Sequence, residues 1–161
     1  MIVKELANNE YRWRIITQPW QGRAHIAGDG FRIGCAEPGK ISGTCPLCLQ
    51  GNVPPRYWLL GVIDRTDNDQ YAVFRIGTDQ FSSLRSYALD PDYGDPSGYD
   101  VEIDKIDSFH GGLWSLHPRR LLTPLTDAEQ VIKANVDKEF LIRSTSPWPV
   151  GCVETMMARH W

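Results

Sequence analysis

The sequence predicts a mainly β chain with one or two short helices, folded as a small five-stranded barrel that carries a metal-sized insertion. Three observations predict it. Short runs rich in aromatic and β-branched residues recur along the chain with polar turns between them. One connection, of roughly forty residues, is rich in Gly, Pro and Cys and has little hydrophobic periodicity, so apolar burial alone does not hold it together. Three of the four cysteines lie in that connection.

Each element follows from its pattern. YRWRIITQ, residues 11 to 18, alternates Tyr11, Trp13 and Ile15 against Arg12, Arg14 and Ile16, as a strand does, so two arginines share a side. YWLLGVIDR (57 to 65), the polar TDNDQ and YAVFRI (71 to 76) read as a hairpin. TDQFSSLRSYALD reads as a helix with Thr78 or Asp79 as N-cap and Phe81, Leu84, Ala88 and Leu89 on one face. DPDYGDPSG is an acidic turn-rich loop. Tyr99, Val101 and Ile103 then alternate with Asp100, Glu102 and Asp104 in a strand with one buried face, and GGLWSLHP adds a short strand. Thr126 with Glu129 forms a capping box that opens a helix whose Val131, Ile132 and Val136 are placed to pack. KEFLIR reads as a last strand and STSPWPVG as a loop or tail. Strand, insertion, hairpin, helix, strand, strand is the order of a partly open OB-fold barrel with its helix between the third and fourth strands.

A length of 161 residues suits one domain. The expectation is a single OB-fold domain over residues 1–143, with a metal subdomain at about 20–52, and a C-terminal loop or tail over 144–161. The composition, 42% hydrophobic and 23% charged, is that of a globular protein. No tract is long or apolar enough to span a bilayer, and MIVKELANNEYRW lacks a signal-peptide core, so the expected location is cytoplasmic, without structural disulfides or membrane partners. The net charge is -3 but unevenly spread: residues 11 to 85 hold nine Lys or Arg against six Asp or Glu, and residues 86 to 161 hold seven against twelve. All the cations of the first stretch except Lys40 are arginines, the residue suited to gripping phosphate or stacking on a base.

The insertion contains GCAEPGKISGTCPLCLQG, residues 34 to 51. In CPLC both thiolates, Cys45 and Cys48, can reach one ion at about 2.3 Å, and Cys35 with His25 upstream can complete a tetrahedron for Zn²⁺. Such binding contributes on the order of 10 to 16 kcal/mol to folding, enough to staple the segment. A redox dithiol is the rival reading, but it belongs after a strand and at the start of a helix, whereas CPLC sits between SGT and LQGNVPP. Inert buried thiols are the bland alternative. His110, His117 or Cys152 can stand in for His25 as fourth ligand.

Cys, nine residues, Cys, two residues, Cys, preceded by a histidine and followed by a hairpin, a helix and a strand, resembles the zinc-containing single-stranded-DNA-binding proteins of tailed bacteriophages. The similarity runs loosely from residue 10 to 130 through RYWLLGVIDR, YAVFRIGTDQFSSL, DPSGYDVEID and PLTDAEQ. The interval from His25 to Cys35 is shorter than in better-known members, and the family's acidic C-terminal tail is missing from PVGCVETMMARHW. The resemblance implies an OB-fold with an inserted zinc subdomain, structural Zn²⁺, and sequence-independent binding of single-stranded DNA in phage replication, recombination and repair, with replication proteins as further partners.

Single strands are held by cations that follow phosphates and by rings on which bases stack, at about 1 to 3 kcal/mol per base. The interleaved candidates are Arg12, Arg14, Trp20, Arg23, Arg32, Arg56, Tyr57, Trp58, Tyr71 and Arg75. Trp13, Trp58 and Phe74 lie in apolar runs and serve equally well as core. The acidic face of Asp100, Glu102 and Asp104 should repel phosphate and lie outside the groove. No glycine-rich phosphate loop and no nucleophile with a matched base is present, so the chain reads as a non-enzyme. A zinc-stabilised protein-binding adaptor in a phage replication or transcription complex is the alternative function.

Overall fold

The computed structural model describes residues 3–4, 6, 10–37, 43–106, 113–122 and 124–160. It is mixed α/β. In chain order the described elements are β1 (Val3–Lys4), β2 (Glu10–Ile15), β3 (Trp20–Ile26), β4 (Arg32–Gly34), α1 (Pro46–Leu49), β5 (Arg56–Asp64), β6 (Gln70–Ile76), α2 (Thr78–Leu89), a 3-10 turn (Pro96–Gly98), β7 (Tyr99–Ile106), β8 (Leu113–Leu122), α3 (Asp127–Ala134), α4 (Lys138–Thr145) and α5 (Val150–His160). The chain divides into two compact units, Met1–Pro19 with Trp58–Asp137, and Trp20–Tyr57 with Lys138–Trp161.

The first unit is built on an open sheet with the order β1-β6-β5-β2-β7-β8. Its pairings are antiparallel except for β1 with β6. The expected hairpin closes through Asn68 and Asp69, both left-handed, at φ 51 and 55, a conformation that Asn and Asp tolerate better than other side-chain-bearing residues. Alternation then sends one face of five strands inward. Tyr11, Trp13 and Ile15 of β2 meet Leu60 and Val62 of β5, Phe74 and Ile76 of β6, Val101 and Ile103 of β7 and Leu116 of β8 in one core. The Trp13 and Phe74 rings lie 4.3 Å apart, and Trp58 stacks on Phe81 of α2 at 4.1 Å. Gly77 caps α2, its N–H donating to Gln80 Oε1 at 3.0 Å, one residue before the expected cap. Leu84 is buried and Phe81 half-buried, while Leu89 is 74% exposed. The capping box of α3 forms as its spacing implies, with Thr126 N–H donating to Glu129 Oε2 at 2.7 Å and Glu129 N–H to Thr126 Oγ1 at 3.3 Å. On the helix it opens, Val131 is exposed and Ile132 half-buried.

Three stretches differ from the sequence expectation. The insertion is not irregular throughout, because β3 and β4 pair as a hairpin. KEFLIR forms α4 and not a strand, with Leu141 as the fully buried member of its apolar run. Residues read as a tail form α5, whose Val153 is fully buried. In addition, β8 continues through Pro118, which it tolerates as the terminal strand of the sheet path.

The outer face of β2 is organised by one carboxylate. Arg12 pairs with Glu102 and Trp13 with Val101 across β2 and β7, which brings Arg14 opposite Asp100. Asp100 is only 2% exposed and receives Arg12 Nη2 at 2.7 Å, Arg14 Nη2 at 2.7 Å and Arg65 Nε at 3.5 Å. Arg14, 1% exposed, also donates through Nε at 2.9 Å, so its fork grips one oxygen twice. Arg65 in turn pairs with Asp69 and with the buried Glu129 of the capping box. Burial pushes the Asp100 carboxyl up, but the three guanidinium groups outweigh it and hold its pKa below the ordinary 3.8. The acidic strand face is therefore in direct contact with the arginine face.

Because the folded-state pKa of Asp100 is depressed, its contribution to stability is complete above the ordinary carboxylate range and is lost as pH falls through the depressed value. Asp100→Asn leaves Arg14 buried without its counter-charge and should cost about 3 to 5 kcal/mol near neutral pH. Urea melts at pH 7 and pH 3 should show the gap between wild type and variant narrowing in acid; an equal gap at both pH values contradicts the ionic account.

Candidate metal centre

The second unit gathers His25 of β3, Cys35 just past β4, and Cys45 and Cys48 around α1, with their ligand atoms all within 4.8 Å of one another. His25 Nε2 lies 3.3 Å from Cys45 Sγ and 3.7 Å from Cys48 Sγ, and Cys35 Sγ lies 3.7 Å from Cys48 Sγ. A tetrahedron with metal–sulfur bonds of about 2.3 Å and a metal–nitrogen bond of about 2.0 to 2.1 Å has edges of about 3.8 Å and 3.6 Å. These three separations lie near those edges, and every other pair of donors stays within 4.8 Å. His25, Cys35 and Cys45 are buried and Cys48 is half-buried.

Local structure explains how four donors from separate elements converge. In the β3–β4 hairpin His25 pairs with Ile33, which places Cys35 two residues further along β4's direction on the same face as His25. Cys35 N–H donates to Arg23 O at 3.0 Å, continuing the ladder. Pro46 occupies the first turn of α1, where its missing N–H costs nothing, and Leu47 is fully buried beneath. The short helix then ends in a Schellman turn: Gly51, at φ +80, donates to Cys48 O at 3.0 Å and Asn52 donates to Leu47 O at 3.0 Å. That turn delivers Asn52 Oδ1 to 2.9 Å from His25 Nδ1. With its proton on Nδ1 and directed at Asn52, the ring presents its Nε2 lone pair to the three sulfurs.

The thiols do not ionise alike. Burial pushes Cys45 up, but backbone N–H groups of Cys48, Ala36 and Leu47 outweigh it and hold its pKa below the ordinary thiol value. Burial and the neighbouring sulfurs push Cys48 up to about 12, and burial likewise raises Cys35. The Cys45 thiolate forms more readily than the other two, which are opposed by burial and by it. A divalent cation among them inverts that balance and draws off the remaining protons.

The cover comes from the C-terminal segment. Val153, Met156, Met157 and Trp148 pack on Ile33, Cys35, Cys45 and Leu47. Trp148 N–H donates to Cys35 O at 3.2 Å, and its indole lies so close over Gly34 that a Cβ there would sit 2.2 Å from the ring. At the far end of α5, His160 pairs with Asp29 at 2.8 Å and stacks on Phe31 at 4.0 Å. Asn52 and this cover were not anticipated from the sequence. No sequence signal marks Asn52, whereas Val153, Met156 and Met157 carry an i, i+3, i+4 helical spacing that does.

Of the alternative fourth ligands, His110 lies outside the described residues, His117 is exposed with Nε2 at 2.8 Å from Ser115 Oγ, and Cys152 is exposed on α5. The strand-binding candidates are distributed between the units. In the first, Arg12 is half-exposed, Arg14 is buried on Asp100, Trp58 is buried against Phe81, and Tyr71 and Arg75 are half-buried. In the second, Arg56 is exposed, Trp20, Arg23 and Arg32 are half-buried, and Tyr57 is buried with its hydroxyl donating to Ser144 O at 2.8 Å.

Asn52→Ala should lower affinity for a cobalt(II) probe by about 10- to 100-fold while keeping the thiolate-to-cobalt absorption. A titration against a chelator checks it; unchanged affinity means that Asn52 does not orient His25. Comparisons of the chain with models of known families, with curated proteins and with solved structures find no match, and the four donors with their surroundings carry the functional reading.

Proposed function

We propose that the chain is a sequence-independent single-stranded-DNA-binding protein with a structural Zn²⁺ at His25, Cys35, Cys45 and Cys48, and that it is not an enzyme. One observation carries the proposal: the four-donor cluster is inserted in the chain between β2 and β5, two strands that pair in a sheet whose β6-β5-β2-β7-β8 path has α2 joining β6 to β7. That is the strand order of an OB-fold short of its closing pair. An inserted zinc subdomain in such a fold is what the phage proteins named above possess.

Three thiolates and an imidazole suit zinc, and a closed set of four protein donors leaves no coordination position for a substrate. Arg23 and Arg56, with Trp20 and Arg32, supply phosphate and base contacts in the second unit, and Arg12 and Arg75 do so in the first. Arg14 has a different role, because its guanidinium is buried on Asp100, whereas Arg12, bound to the same carboxylate, keeps a side chain 44% exposed. The same commitment favours the adaptor as the second reading, since it draws cations away from phosphate.

Purified protein should contain one zinc per chain, and elemental analysis near zero overturns the cofactor. Binding to a thymidine oligomer, followed by tryptophan fluorescence, should weaken with salt at a slope of about 0.7 per phosphate neutralised. Arg23→Ala with Arg56→Ala should lower that slope by about one to two contacts, whereas Arg14→Ala should lower the melting temperature first. Trp20→Phe should reduce the quenching, because Trp20 is half-buried beside arginine candidates whereas Trp13 and Trp58 are buried. Equal binding of duplex, or no binding at low salt, selects the adaptor.

A further inference from the structure

The first unit contains a cavity of about 400 Å³ that neither the metal centre nor any of the strand-binding candidates lines. It opens between the end of β2 and its continuation to Pro19, helix α2, the 3-10 turn, and Lys133 of α3. Its walls are mostly apolar: Ile16 and Leu84 are buried, with Phe81, Pro19 and Pro96 beside them. Volumes of about 300 to 1,000 Å³ with such walls are typical of ligand sites.

Charge at the cavity has one sign in excess. Arg85 and Lys133 are both exposed there and make no ion pair among the described residues. The one carboxylate, Asp95, is already engaged, because its Oδ1 accepts from Ser97 N–H at 2.9 Å to cap the 3-10 turn. An occupant that complements the site is therefore apolar where it enters and anionic where it leaves. A nucleotide fits worse. The walls offer the polar edge of a base few partners beyond Thr17, Gln18 and Ser97, and Thr17 Oγ1 already accepts from Gly61 N–H at 2.8 Å. One face of the Phe81 ring is moreover already stacked on Trp58.

We propose that this cavity docks a short acidic segment of a partner protein, seating one Leu or Phe side chain in the apolar walls while flanking carboxylates meet Arg85 and Lys133. A single apolar anchor in a preformed pocket, with charges at the rim, is a common arrangement for peptide recognition. The site makes the protein a platform for an acidic-tailed or acidic-looped partner whether or not it also holds a nucleic acid strand.

The test uses the full zinc-loaded chain and a hexapeptide, acetyl-Asp-Glu-Leu-Phe-Asp-Glu-amide, titrated by amide chemical shifts. Saturable shifts confined to residues about Ile16, Leu84, Ala88 and Ser97 are expected. Affinity should fall about tenfold for Arg85→Glu with Lys133→Glu, and similarly for a peptide with Asn and Gln replacing its acids. Ala88→Trp, at an exposed helical position lining the cavity, should abolish peptide binding while leaving the melting temperature and thymidine-oligomer affinity at wild-type values. No saturable shift at the cavity overturns the proposal, as does undiminished binding by Ala88→Trp. Displacement of the peptide by the thymidine oligomer reassigns the cavity to nucleic acid. Failure of strand binding with peptide binding intact counts against the strand-binding function alone.

Discussion

Three sulfur atoms and an imidazole nitrogen meet within 4.8 Å of one another, a set that could hold a metal ion and that demands donors from separate segments of the chain. The second unit is arranged around that demand. Its two-stranded hairpin, four-residue helix and C-terminal segment meet in the cluster of Ile33, Leu47 and Val153, and two of the cysteines belong to that same cluster. The donors are thus also core residues. A change of charge at the donors therefore acts directly on the packing around them.

The first unit has a polar counterpart in Asp100. A buried carboxylate holding three arginines joins β2, β7 and the end of β5 on the face opposite the aromatic core, and Glu129 extends the same network to α3. Such networks contribute more to fixing register than to net stability, since burying the charges costs much of what their pairing returns. A one-residue slip of β2 against β7 would move Arg14 from Asp100 to the core side and Trp13 to the outside. Arginine in this sequence accordingly has two distinct uses, and a count of cations along the chain cannot separate them.

Local features were legible in the sequence, and features made by distant contacts were not. The 57–76 hairpin, the Thr126 capping box and the Cys45–Cys48 pair each depend on residues a few positions apart, and each forms. His25 was readable as a ligand only by counting donors, because its place beside the cysteines is set by the pairing of β3 with β4. Asp100 was read as surface chemistry from its alternation with Val101 and Ile103; the alternation is real, but what it faces follows from a partner strand more than eighty positions earlier in the chain. KEFLIR has three consecutive apolar residues that suit either a strand or a helix, and it forms a helix within the second unit with Leu141 fully buried. The helical spacing of Val153, Met156 and Met157 was present but lay behind a proline-rich stretch that reads as a terminus.

The cover over the metal ligands has a consequence in time. Chains emerge from the ribosome N-terminus first and begin to organise as they do. The last of the four donors, Cys48, emerges about a hundred residues before Trp148 and Val153, which can close over the cluster only after that stretch has been made. Over that interval the donors lack this cover. Once α5 docks, they are enclosed by side chains from far along the chain, and an ion held among them could leave only as that helix lifts.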